Sequence, residues 1–218
     1  MASSKNKSIM RVVEGFALLV ICHWLANKFL TFTLVKIAPG FPWITASMMV
    51  ATLSPVIASI YMFLRTRYVP PLFVKTQTLV AIIASAILAW LVLFLEALFL
   101  GTKMSLAQEM IQAQSHLHLM LFLLIVWGPL WEETLYRGYF FETLKQIWGG
   151  TLALLFSSVL FTGFHGIFIF IYEGSIGYDL VFIFITSLVF TLAYVQGGLT
   201  AAVATHAFVN FYLMYLNL

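Results

Sequence analysis

Three short clusters in the second half of the chain put ionisable side chains inside otherwise apolar stretches: Glu132-Glu133-x-x-x-Arg137, Phe161-x-x-x-His165 and His206-x-x-x-Asn210. A titratable side chain at bilayer depth costs roughly a few kcal/mol or more, so it needs a partner or a chemical task. Residues four apart on a helix share a face. Glu133 and Arg137 are therefore expected to pair as ions, while Glu132, turned from its neighbour by about 100°, is left to do chemistry. His165 shares a face with Phe161 and could assist Glu132 in taking a proton from water. His206 and Asn210 bring an imidazole and a carboxamide to one face, and both can donate hydrogen bonds to a developing oxyanion. The chemistry that suits this set is peptide-bond hydrolysis.

Each cluster also has a plainer reading. Two adjacent glutamates beside an arginine are common at the membrane interface. A histidine within a membrane helix often only bonds a neighbouring helix, and His206 and Asn210 could do the same beside Ala201, Ala202 and Ala204. Depth argues for a shared task. At about 1.5 Å per residue, Glu132 lies ~10–14 Å from the cytoplasmic end of its helix, His165 ~18–21 Å, His206 ~11 Å and Asn210 ~17 Å. All four can meet in the inner half of the bilayer or near its midplane. No serine or cysteine sits in a nucleophile position: Cys22 is remote in sequence, and Ser157 and Ser158 read as small packing residues. Zinc held by Glu132, His165 and His206 is the competing arrangement, with one position left for water. No His-Glu-x-x-His motif occurs and the ligands would come from three helices, so a metal-free, cofactor-free carboxylate mechanism is favoured.

The elements that position these residues follow from composition. Of 218 residues, 62% are hydrophobic and 9% charged, with a mean hydropathy of +1.02. A soluble domain carries roughly 25% charged residues, so this chain belongs in a bilayer. The net charge of +3 is small, which makes nucleic acid a poor partner. One cysteine excludes an internal disulfide framework and any multi-cysteine metal site. A span needs about 20 apolar residues. The expected spans are Val12–Val35, Trp43–Leu64, Thr78–Leu100, His118–Tyr139, Thr151–Tyr172, Tyr178–Val195 and Leu199–Leu216. Turns are expected at Pro39–Pro42, Pro70-Pro71, Gly149-Gly150, Gly174–Gly177 and Gly197-Gly198. The fold class is thus an all-α polytopic transmembrane bundle of about seven helices. It reads as a single integral membrane domain over 1–218, with three N-terminal helices in about 12–100 and a motif-bearing core in about 118–216.

Basic residues set the expected orientation. With the N terminus in the cytoplasm, Lys5, Lys7, Arg11, Arg65, Arg67, Lys75, Arg137 and Lys145 fall inside, and Lys28, Lys36 and Lys103 outside. The first span reads as a retained anchor rather than a cleaved signal, because no small-residue cleavage site follows it. Gly138–Trp148 could extend the fourth helix into the inner interface as an amphipathic segment. Arg11 and Glu14 are placed to pair near the inner face, and His116 and His118 flank the outer end of the fourth span.

The ordered set of motifs resembles the CAAX protease and bacteriocin-processing family of integral membrane proteases, also called the CPBP or Abi family. Glu132-Glu133-Thr134-Leu135-Tyr136-Arg137, Phe161-Thr162-Gly163-Phe164-His165 and His206-Ala207-Phe208-Val209-Asn210 match its three motifs in order, over about residues 120–215. Pro129 and Gly138 also suit its style. The resemblance implies a four-helix catalytic core around an inward-opening cavity. Glu132 and His165 would activate water, His206 and Asn210 would form the oxyanion hole, and Glu133 and Arg137, beside Phe161, would hold the geometry. Members of the family have been read both as metalloproteases and as glutamate proteases. The chain looks more like the bacterial type, with no additional helix after the third motif. The expectation is an endopeptidase of the bacterial cytoplasmic membrane, open to the cytoplasm. Its partners would be membrane lipid and a hydrophobic or lipid-anchored, CAAX-like peptide or protein. The alternative from a different class is a non-enzymatic immunity or regulatory scaffold of the same fold. A small transporter is disfavoured, because no polar path reaches both faces.

Overall fold

In lipid, every backbone N–H and C=O must be satisfied within the chain, and a helix does this locally. A computed structural model of the protein describes residues 2–26, 28–29, 33, 36, 43–72, 77–100, 117–173 and 179–215. Its long elements are all helices: α1 (Ala2–Ala26), α2 (Trp43–Thr66), α3 (Thr78–Leu100), α4 (117–148), α5 (Gly150–Glu173), α6 (Asp179–Gly197) and α7 (Leu199–Tyr215). Those from α2 onward begin and end close to the expected spans, apart from α4. The first helix begins some ten residues before Val12. No glycine or proline precedes Gly15, so the polar first turns continue the helix without a breaker. Segments within α1, α3, α5 and α6 are long and apolar enough to cross a membrane, and Leu199–Met214 of α7 is a shorter apolar helix. Leu79, Val80, Ile83, Ile87, Leu98 and Phe99 of α3 are exposed, which suits contact with lipid tails.

The turns at Pro70-Pro71, Gly149-Gly150 and Gly197-Gly198 fall between helices, with Gly149 and Gly198 at φ 80° and 79°. A Cβ is strained at such φ, so glycine is favoured there. The turns expected at Pro39–Pro42 and Gly174–Gly177 lie outside the described residues, as do Lys75, Lys103 and His116.

Helix α4 is not a uniform helix. It alternates Leu117–Leu121 (α), Phe122–Trp127 (π), Gly128–Glu133 (α), Thr134–Phe141 (π) and Glu142–Trp148 (α). It packs against α1, α2, α5 and α7, and so sits at the centre of the bundle. Its lower half is the core: Leu135, Tyr136, Tyr139, Phe140, Phe141 and Leu144 are buried. This corrects the reading of Gly138–Trp148 as an interfacial amphipathic segment. Exposure begins only at Lys145, because α1, α2 and α5 cover the preceding turns.

Two further expectations change. Arg137 is fully buried, so it binds within the protein rather than marking the inner surface. Glu14 pairs with Arg65, 3.1 Å away across α1 and α2, and accepts from the Tyr61 hydroxyl. It does so in place of the local pair expected with Arg11, because α1 lies along α2.

Close packing around the site helix has a measurable signature. A Cβ at Gly138 would lie 2.5 Å from Pro70 Cγ and 3.0 Å from its Cβ. The rigid ring cannot rotate aside, so Gly138→Ala is expected to cost about 1–3 kcal/mol as over-packing. A lowered thermal midpoint in lipid or detergent would register it, and an unchanged midpoint would mean that the 67–72 link moves freely.

Candidate active site

Glu132 and Glu133 occupy the end of the middle α piece of α4, and Arg137 lies one turn on. Arg137 Nη1 donates to Glu133 Oε1 at 3.0 Å, with both side chains fully buried. A buried pair needs its remaining protons satisfied to hold. Helix α6 supplies them: Arg137 Nη2 donates to Ser187 O at 2.8 Å and to Ser187 Oγ at 2.7 Å, and Nε donates to Thr191 Oγ1 at 3.3 Å. The guanidinium also lies 4.7 Å from the Phe161 ring centroid and 5.4 Å from that of Phe190. Ser187 and Thr191 are four apart on α6, a spacing visible in the sequence, but nothing local marks them among the other small polar residues of the spans.

The two imidazoles have tautomers that follow from their partners. His165 Nδ1 lies 2.9 Å from Phe161 O, and a carbonyl only accepts, so Nδ1 carries the proton. His206 Nδ1 lies 2.8 Å from Glu133 Oε1, the oxygen that also receives Arg137. A carboxylate beside Nδ1 fixes tautomer and ring orientation in the same way. Each neutral ring therefore turns a bare Nε2 inward. His165 Nε2 is 3.7 Å from Glu132 Oε2 and His206 Nε2 is 4.0 Å from the same oxygen. That oxygen is buried and takes no hydrogen bond among the described residues. In these neutral forms three acceptors face one another, with no donor between them among the described residues. Stacking fixes both rings: Phe161 lies on His165 at 4.2 Å between centroids, and Phe190 on His206 at 4.5 Å.

Glu132, His165, His206, Glu133, Arg137 and Phe161 are therefore in one cluster, drawn from α4, α5 and α7 with α6 behind. Asn210 enters differently. Its Nδ2 donates to Leu124 O at 2.7 Å. In the π piece, hydrogen bonds reach back five residues, as Gly128 N–H to Leu123 O does. The donor due at Leu124 O would be residue 129, which is proline and has no N–H. Asn210 fills that place with one amide proton and keeps its second. The structure gives no direct contact between Asn210 and Glu132.

Exposure grades across the cluster. The Glu132 and His165 side chains are 17% and 28% exposed, His206 6%, and Glu133 and Arg137 fully buried. The first two are thus the ones a substrate or water reaches. By donor type, two bare imidazole nitrogens and a carboxylate oxygen are a zinc set, with Glu133 as a carboxylate behind His206. Among the described residues, however, no group of three or more His, Cys, Asp or Glu side chains is arranged to hold a metal ion.

All of these residues lie within the stretch 114–212, which matches the family model described as type II CAAX prenyl endopeptidase Rce1-like. Over residues 114–212, a little under half of the chain, the sequence is thus similar to the CAAX protease family. No curated protein and no solved structure matched the chain. Family and apolar helices together make this an integral membrane protein, and the match supports CAAX-type endopeptidase activity in general terms. In this CAAX-protease-like stretch the π pieces, Ser187, Thr191 and the Leu124 carbonyl are parts that motif reading does not supply. Only Pro129, just before the glutamates, hinted that the helix is irregular there.

Proposed function

We propose that the protein is a glutamate-type intramembrane endopeptidase that cleaves a hydrophobic or lipid-anchored, CAAX-like peptide by direct attack of water. The observation that carries this reading is the convergence of the His165 and His206 Nε2 atoms on Glu132 Oε2, at 3.7 and 4.0 Å. Water is the small group that suits such a focus: it donates both protons to acceptors and leaves its lone pairs for a carbonyl carbon. In the proposed step Glu132, aided by His165, takes a proton as the water oxygen bonds to the carbonyl carbon. The C=O electron pair moves onto oxygen. Collapse of the tetrahedral intermediate breaks the C–N bond, and Glu132 returns the proton to the leaving amine.

The oxyanion roles carry a condition. His206 gives its Nδ1 proton to Glu133, so it donates from Nε2 only as the imidazolium, which Glu133 is placed to balance. Asn210 would use the amide proton not held by Leu124 O. No step runs through a metal ion. The opening toward the cytoplasm and the inward N terminus rest on the distribution of surface lysines and arginines.

The direct test uses purified protein in lipid with farnesylated and unmodified C-terminal peptides, read by mass spectrometry with and without a zinc chelator. New termini at an internal peptide bond, undiminished by chelator, are expected. Loss of cleavage on chelation, restored by zinc, would replace the glutamate reading with the zinc one. Absence of cleavage from a folded protein across the peptide set would favour the non-enzymatic scaffold.

A further inference from the structure

One buried polar group beside this cluster has no place in the mechanism above. Tyr136 is fully buried and its hydroxyl takes no hydrogen bond among the described residues. An unpartnered buried hydroxyl costs about 1–3 kcal/mol, so one left without a partner among the described residues calls for a bridging group such as an internal water. Tyr136 is four residues after Glu132 on α4. Long side chains on a helix lean toward its N-terminus and cover the preceding turn, which here is the turn of the two glutamates. Its ring meets Phe161 edge-on at 5.1 Å between centroids, and Phe161 is the ring that stacks on His165. Glu132 Oε2 is itself a buried acceptor without a donor. Buried waters settle where several otherwise unsatisfied polar groups lie within reach of one molecule.

We propose that Tyr136 is a further positioning residue of the site, its buried hydroxyl donating through one internal water to Glu132 and holding that carboxylate in its aim at the two imidazoles. The bridging water accepts from the phenol and donates to the carboxylate, which is the polarity that both orphaned groups require. It is distinct from the attacking water, which the imidazole side of Glu132 receives. Phenylalanine would fill the same space and could not do this. The inference deepens the glutamate reading of Glu132 and rests on it for its catalytic consequence, but the link itself is independent of any reaction.

The test is therefore a double-mutant cycle read without substrate. Thermal unfolding in lipid is measured for wild type, Tyr136→Phe, Glu132→Gln and the pair. Tyr136→Phe is expected to lower the wild-type midpoint by about 2–4 °C, as a lost hydrogen bond near 1 kcal/mol does in a chain of this size. The same change in the Glu132→Gln background is expected to cost at most half as much. Additive effects, or a Tyr136→Phe protein as stable as wild type, would overturn the link, because removing a truly idle hydroxyl costs nothing. On a cleaved peptide, Tyr136→Phe should lower kcat about five- to ten-fold with KM unchanged. An equal rise in KM would overturn the positioning role by pointing to a general loss of shape. If the cycle shows coupling and no peptide is cleaved, the link stands and the protease reading is what fails.

Discussion

Glu132→Ala protein is expected to fold and insert as wild type does while cleaving peptide at least ~10³-fold more slowly, toward the upper end of what one general base contributes. The two halves of that result come from different features. Among the described residues Glu132 Oε2 takes no hydrogen bond, and it stands 3.7 and 4.0 Å from the two imidazoles with 17% of its side chain exposed, so truncating it breaks no hydrogen bond between helices. Among the described residues it is also the only carboxylate facing both Nε2 atoms, since Glu133 is occupied by Arg137 and His206. No second carboxylate among the described residues is free to take over the proton. Cleavage measured beside a thermal midpoint checks both halves at once. Retained cleavage would move the base to His165 or to a metal-bound water, and a collapsed midpoint would make Glu132 structural.

Arg137→Ala is expected to do the opposite, costing about 3–5 kcal/mol of stability and removing activity as a consequence. The guanidinium joins α4 to α6 through Ser187 and Thr191 and to α7 through Glu133 and His206. Its loss leaves the Glu133 carboxylate fully buried without its ion partner. Lysine should rescue little, because one ammonium cannot reach Glu133, Ser187 and Thr191 together as a planar fork does. Thermal unfolding of Arg137→Ala and Arg137→Lys in lipid measures this. An alanine variant as stable as wild type would mean that the buried network is neutral in energy, as some buried ion pairs are when replaced by apolar groups.

Legibility differed between the two glutamates. The Glu133–Arg137 pair was readable from a spacing of four, because a helix makes such neighbours whatever surrounds it. That His206 would share the same Glu133 oxygen was not, since seventy-three residues separate them and no local rule spans that distance. Ser187 and Thr191 were invisible for the same reason: hydroxyls in membrane helices usually bond their own backbone, as Thr186 does to Phe182 O. Arg137 was misread as a charge on the inner surface, because the positive-inside rule weighs type and rough position but cannot see burial. Asn210 was grouped with His206 by spacing. Its held proton, given to Leu124 O, depends on a π register that hydrophobic pattern does not report.

What the chain determined by itself was the class of molecule and the inventory of chemistry. Apolar runs of span length, broken by Pro and Gly pairs, dictate helices because lipid offers the backbone no other partner. Three motifs of titratable residues within those runs could not be idle all at once, given what each would cost unpaired. The tertiary structure alone decided which atoms face which. Helix rotation and the π turns of α4 turned one glutamate toward Arg137 and the other toward two imidazoles. They also set the protonated side of each ring and buried the Tyr136 hydroxyl. Those outcomes depend on packing between helices far apart in sequence, where a shift of one residue in register would exchange the two carboxylates.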